Sequence, residues 1–169
     1  MSFLLLTYLF FTDFITPICL EYGSLLSEDH ADIDAVMTGW GVYKFHPQTN
    51  RKLFPAVLQK ATLKIRDENT CKQNLSKAGV RTGNSNPIES FLCAGGEDPD
   101  HHIYLGDSGG SLVILESVEA DIPRYSTVGL ASLSATAQNP RVTPISDFYT
   151  HVSFYLEWIL DTIAENSGM

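Results

Sequence analysis

Five consecutive residues, Gly106-Asp107-Ser108-Gly109-Gly110, set a hydroxyl and a carboxylate among three glycines. Gly and Asp both favour turns, so a tight turn alone would account for the run. Its chemistry is more specific than that. The backbone N–H groups of Gly106 and Ser108 can be aimed at one point, as stabilisation of an oxyanion requires. Gly109 and Gly110 let the chain turn sharply and leave the Ser108 Oγ free to attack a carbonyl. A serine without a positioned base is a weak nucleophile. The segment Glu97-Asp98-Pro99-Asp100-His101-His102 admits two readings, a metal site or a solvated acidic loop, and the loop is the simpler. No metal and no cofactor is expected.

The elements that must carry this turn follow from punctuation. Gly and Pro recur along the chain, and short apolar runs fall between them, which is the all-β signature. Strands are expected at 3–8, 35–42, 57–65, 90–94, 111–116, 126–133 and 147–152. Asp67 is a plausible N-cap for a short helix over 67–75. Phe154, Trp158 and Ile163 repeat at helical spacing, so a helix with Ser153 as its cap is expected over 153–165. That helix should pack back through one apolar face. The segments 44–55 and 77–89 read as polar loops. Trp40, Trp158 and the Phe148-Tyr149 pair are expected in the core. There is no repeat and no internal boundary, so the chain reads as one module.

Composition narrows the partners. The 169 residues hold 44% hydrophobic side chains, enough for a real core, and a formal charge of −9. Such an acidic chain is a poor match for nucleic acid or an anionic membrane surface. The apolar run 2–11 is too short to span a bilayer and fits either a signal-peptide core or a buried strand. Three cysteines, Cys19, Cys71 and Cys93, show no zinc-ligand spacing. An odd count suggests one internal disulfide and one cysteine for a partner chain or a missing segment. Asn74-Leu75-Ser76 is a glycosylation sequon.

The flanks of the glycine-rich turn carry a resemblance. Upstream stand Met37-Thr38-Gly39-Trp40-Gly41, Leu58-Gln59, Cys71 and Phe91-Leu92-Cys93-Ala94-Gly95-Gly96. Downstream come Val128-Gly129-Leu130, Phe148-Tyr149-Thr150-His151-Val152-Ser153, Tyr155 and Trp158-Ile159. In this order the chain resembles the trypsin/chymotrypsin family of serine endopeptidases, from about residue 3 to about residue 163. The polar insert before Tyr125 and the Pro17-Ile18-Cys19-Leu20 block look more like invertebrate clip-domain members.

The resemblance implies an all-β, trypsin-like antiparallel barrel with a C-terminal α-helix. Residues 35–152 would form an essentially complete second barrel and 153–165 the helix. Residues 1–34 would be a remnant of a mostly missing first barrel. With its sheet partners missing, that arm, Phe3, Leu5, Tyr8 and Phe10 included, is expected to be loose or misdocked. Ser108 would be the nucleophile, with the N–H groups of Gly106 and Ser108 as the oxyanion hole. Asp107 would be the carboxylate that pairs with a new N-terminal amine on activation. Lacking that amine, it is expected to be unpaired, with 103–110 displaced. His102, Ser132, Leu133, Ser134 and Asp147 would line the substrate pocket. His102 stands where trypsin-like members have Asp, and Asp147 could accept a basic side chain or pair with His102.

Cys71 and Cys93 match a family disulfide, worth about 3 kcal/mol for its loop. Cys19 matches the cysteine that bridges to an upstream segment or light chain. The family's catalytic His has no counterpart here: His30, His46, His101, His102 and His151 match no such position. Ser2 falls at the position of the catalytic Asp. Two functions remain in view, both secreted. One is a serine endopeptidase acting on protein or peptide substrates, represented by a C-terminal part that is inactive alone. The other is a non-catalytic homologue that binds proteins as a cofactor.

Overall fold

The computed structural model describes residues 11, 12, 14–96, 101–119, 122–134 and 145–166. The strand expected at 3–8 lies outside these residues.

Alternation of buried and open positions sets the sheet. In β1 (Asp34–Gly39), Ala35 and Met37 point inward while Asp34 and Thr38 face out. The other long strands are β4 (Gln59–Lys64), β5 (Phe91–Ala94), β6 (Ser111–Glu119), β7 (Ile122–Leu133) and β8 (Asp147–His151). They form one antiparallel sheet in the order β4-β1-β6-β7-β8-β5. The sheet curls until its two edge strands meet. Ile65 bridges Ala94, with Arg66 N donating to Cys93 O at 2.8 Å and Gly95 N to Lys64 O at 2.9 Å. Joining the edges removes the unpaired backbone groups that an open sheet would leave.

Inside the curl lies one apolar cluster that includes Met37, Leu63, Ile65, Leu92, Leu112, Ile114, Val128 and Tyr149. Burial pushes the Tyr149 phenol well above its ordinary range, and its hydroxyl donates to Met37 Sδ at 3.4 Å. A second cluster lies on the outer face under helix α1 (Glu68–Lys77) and joins Leu75, Ile145, Phe148 and the Cys71–Cys93 disulfide. Asp67 caps α1 by accepting from Thr70 N at 3.0 Å and Thr70 Oγ1 at 2.6 Å.

Several expectations change. Through the polar insert before Tyr125, Glu119 pairs with Ile122 and Ser117 with Arg124, so β6 and β7 run on as a long hairpin. Arg124 Nε lies 3.0 Å from the Glu116 carboxylate across that hairpin. Segment 44–55 contains a two-stranded ribbon, β2 (Lys44–Phe45) with β3 (Lys52–Leu53). The tail folds as a 3-10 turn, Ser153–Tyr155, followed by α2 (Leu156–Asn166). No residue of α2 is buried, and Trp158 stays 53% exposed, because no described element covers its apolar face. Trp40 is 60% exposed and is likewise not core, whereas Phe148 and Tyr149 are fully buried. Asn74 of the sequon is buried and its amide donates to Ser146 Oγ at 3.0 Å, which closes it to a glycan.

Over residues 19–33 the arm before β1 is docked; Phe3, Leu5, Tyr8 and Phe10, on which the expectation of a loose arm turned, lie outside the described residues. Cys19 N donates to Tyr125 O and Thr127 N donates to Cys19 O, so the segment lies along β7. Arg124 stacks over the Tyr22 ring at 5.2 Å. The firmest anchor is Glu21, almost fully buried, whose carboxylate accepts from His30 Nε2 and from Ser153 Oγ. Ser153 therefore spends its hydroxyl on this contact and does not cap the helix that follows. The hydrogen bond to Glu21 outweighs burial and raises the His30 pKa above 6.5. Burial alone would raise Glu21, but hydrogen bonds from His30 and Ser153 take it below 4.5.

A raised histidine contributes fully below its unfolded value and loses that contribution as pH rises through its folded value. A lowered carboxylate contributes above its unfolded value and loses it on acidification. The staple should therefore be strongest between pH 4.5 and 6.5. Replacing His30 by Ala strands a buried carboxylate and should cost about 3 kcal/mol. Urea midpoints at pH 5.5 and 8.5 check this: the wild type should lose stability between the two, and the variant should lose less.

Candidate active site

The turn at 106–110 is held from two sides. On one side, Gly109 N donates to Ala131 O and Ala131 N to Gly110 O, both at 2.8 Å, which seats the turn against β7. On the other, Val42 N donates to Leu105 O at 2.9 Å. Asp107 joins the two. Its Oδ1 accepts from Gly41 N at 2.8 Å and its Oδ2 from Tyr104 N at 3.0 Å. Its own N–H donates to Tyr104 O, and its carbonyl accepts from Gly110 N.

The Asp107 carboxylate is therefore not unpaired, contrary to the sequence expectation. Two backbone N–H groups fill the place that an ammonium was expected to leave empty. They match charge with dipoles, at lower desolvation cost than a bare carboxylate. The sequence reading missed what the glycines at 39 and 41 do. A Cβ at either would overlap the Asp107 carboxylate, so only glycine lets the carboxylate reach the Gly41 amide. Their signal was present as a Gly-x-Gly flanking Trp40. Gly106 has φ +105°, a conformation reserved for glycine, with its Cα side packed on Gly41.

Ser108 is exposed at the apex, and its hydroxyl has no hydrogen-bond partner among the described residues. It opens onto a cleft of about 330 Å³ lined by Val42, Phe45, Lys52, Ile103, Tyr104, Leu105, Ser132, Leu133 and Ser134. Ser132, Leu133 and Ser134, expected at the pocket, line this cleft together with Ser108. Lys52 and Phe45 come from the β2–β3 ribbon, which sequence reading treated as a plain loop. His102 and Asp147 do not line this cleft. They form a separate pair, with His102 Nδ1 at 3.2 Å from Asp147 Oδ2.

The remaining imidazoles are spent elsewhere. His30 is on Glu21, and His151 Nδ1 lies 2.9 Å from Glu89 O. Among the described residues no histidine bonds to Ser108. Of the Glu97–His102 run, residues 97–100 lie outside the described part.

A family model described as Trypsin matches residues 7–159. The proclotting enzyme of Tachypleus tridentatus is 29% identical, over 89% of this chain and 36% of its own length. The phenoloxidase-activating enzyme of Bombyx mori is 31% identical, over 90% of this chain and 32% of its own length. The complement C1s-1 subcomponent of Mus musculus is 30% identical, over 91% of this chain and 20% of its own length. The chain spans well under half the length of these curated relatives.

Gly41→Ala should drive the Asp107 carboxylate off its two amides and cost about 1–3 kcal/mol. Gly83→Ala, where nothing lies within 4 Å of the new methyl, should stay within about 0.5 kcal/mol of wild type. Denaturant midpoints of the two variants check the difference.

Proposed function

The chain belongs to the trypsin family of serine proteases, and we propose that it carries the nucleophile half of a serine endopeptidase site. The observation that supports this most is an exposed, unbonded Ser108 hydroxyl on a turn fixed from both sides, beside a cleft of side-chain size. Ser108 is the nucleophile, and the N–H groups of Gly106 and Ser108 receive the oxyanion. Both amides are without a partner among the described residues. The cleft formed with Ser132, Leu133 and Ser134 takes a side chain of a protein or peptide substrate. Residues 35–152 then serve as the second barrel of the family fold.

The general base comes from outside these 169 residues, in a longer polypeptide or a partner chain. Cys19 is free and half-buried, and it is the covalent link to that partner. The Cys71–Cys93 disulfide suits an oxidising compartment, so the protein is secreted. Asp107 on the Gly41 and Tyr104 amides marks a latent state: an activating amine must first compete with those two donors.

One observation favours a second reading, a non-catalytic homologue that binds proteins. Trp40, Phe54, Val57 and Leu58 are all exposed on neighbouring stretches of chain, an apolar surface suited to a protein contact.

Fluorophosphonate labelling separates activity from latency. Ser108 of the 169-residue chain should react at least about a thousandfold more slowly than an intact serine protease, for want of a base. Rapid stoichiometric labelling, abolished by Ser108→Ala, would show that a base lies within these residues.

A further inference from the structure

A cavity away from Ser108 shares no lining residue with the cleft there. It sits where the docked arm, helix α1 and strand β5 come together, and its volume is about 210 Å³. That is below the roughly 300–1,000 Å³ of small-molecule sites and nearer the size of one long side chain. Its floor is apolar. Ile65, Leu92 and the Cys71–Cys93 disulfide are buried beneath it, and Ile88 and Phe91 stand half-buried at its side.

The rim carries charge of one sign. Glu28 and Asp29 come from the arm, Glu68 from the first turn of α1 and Glu89 from the 3-10 turn before β5, and all four are exposed. Asp29 accepts from Ala31 N at 2.9 Å, while the carboxylates of Glu28, Glu68 and Glu89 hold no hydrogen bond or ion pair among the described residues. The basic groups beside them are committed. His30 Nε2 is on Glu21, His151 Nδ1 is on Glu89 O, and Arg66 Nε donates to Gly95 O at 2.8 Å. After the hydrogen bond and charge of Glu21, the charges of Glu28 and Asp29 also raise the His30 pKa, against the lowering by burial.

An apolar floor under an anionic rim complements a side chain with a hydrocarbon stem and a cationic head. The stem of Lys or Arg covers the floor while the head stays at the wet rim, so neither charge is stripped of solvent. An anionic guest would meet four carboxylates, and an apolar one would leave them without a partner. We propose that this cavity docks a protein partner through a lysine or arginine side chain of a basic segment. The formal charge of −9 on the chain favours the encounter.

The test is peptide binding to the isotopically labelled chain at neutral pH, followed at the backbone amides of Ala31, Leu92 and Cys93. Capped alanine peptides with a central Lys, Arg, norleucine or Glu serve as probes. Lys and Arg peptides should shift those amides with dissociation constants at least about tenfold below those of the norleucine and Glu peptides. The gap should narrow as salt rises from about 0.02 to about 0.3 M. Glu28→Gln with Glu89→Gln should weaken the Lys peptide at least about threefold and leave the norleucine peptide unchanged. A norleucine peptide that binds as tightly as the Lys peptide overturns the proposal, and so does the absence of any shift at these amides. n-Butylamine matching the Lys peptide would make this a site for free amines. Self-association abolished by the double substitution would make the guest a second copy of the chain. Either result overturns the assignment to a partner protein. Should the double variant fail to fold, the wild-type comparison of peptides decides by itself.

Discussion

The Asp107 carboxylate, shared between the amides of Gly41 and Tyr104, is the contact on which the candidate site depends. It fastens the stretch after β1, 66 residues away, to the turn and to the segment just before it. Without it the turn would keep its bonds to β7, its internal backbone bonds and the Val42–Leu105 bond, but lose its tie to the Gly41 amide. The glycines at 39 and 41 exist in this arrangement to let the carboxylate in. A charge drawn away from water must be met by donors, and here the backbone meets it.

The same requirement organises the rest of this acidic chain. Glu21 is met by His30 and Ser153, and thereby ties the segment before β1 to the start of the tail. Asp147 is met by His102 and Ile103, and thereby closes the back of the cleft. Each acid is withdrawn from solvent only where a specific partner waits, so each fixes one geometry. The curled sheet supplies the frame. Its edge-to-edge join at Ile65 and Ala94 brings β5 and β8 round beside α1, and β7 under the nucleophile turn.

What the sequence made legible was what local chemistry decides. Breaker spacing located the strands, and Asp67 announced α1 because its cap partner, Thr70, lies three residues on. The cysteine pairing followed from the family resemblance. What stayed hidden depended on distant partners. Asp107 was expected to be unpaired because its acceptor role is filled by an amide 66 residues away. Backbone donors leave no mark in residue identity. The exposure of Trp40 and of α2 was illegible for the converse reason: an apolar pattern states what could be buried, not whether anything covers it. The insert before Tyr125 stood out in the sequence only as polar, and the cross-strand contact of Glu116 with Arg124 belongs to a hairpin that composition does not announce.

The central claim is that the Asp107 carboxylate, held by two backbone amides, keeps the nucleophile turn in place. Amide hydrogen exchange at Gly41 and Tyr104 tests it most directly, in the wild type and in Asp107→Ala. Strong protection of both amides in the wild type, lost at both in the variant while β6 and β8 stay protected, is the predicted result. Fast exchange of both amides in the wild type, or rates that the substitution leaves unchanged, would contradict it.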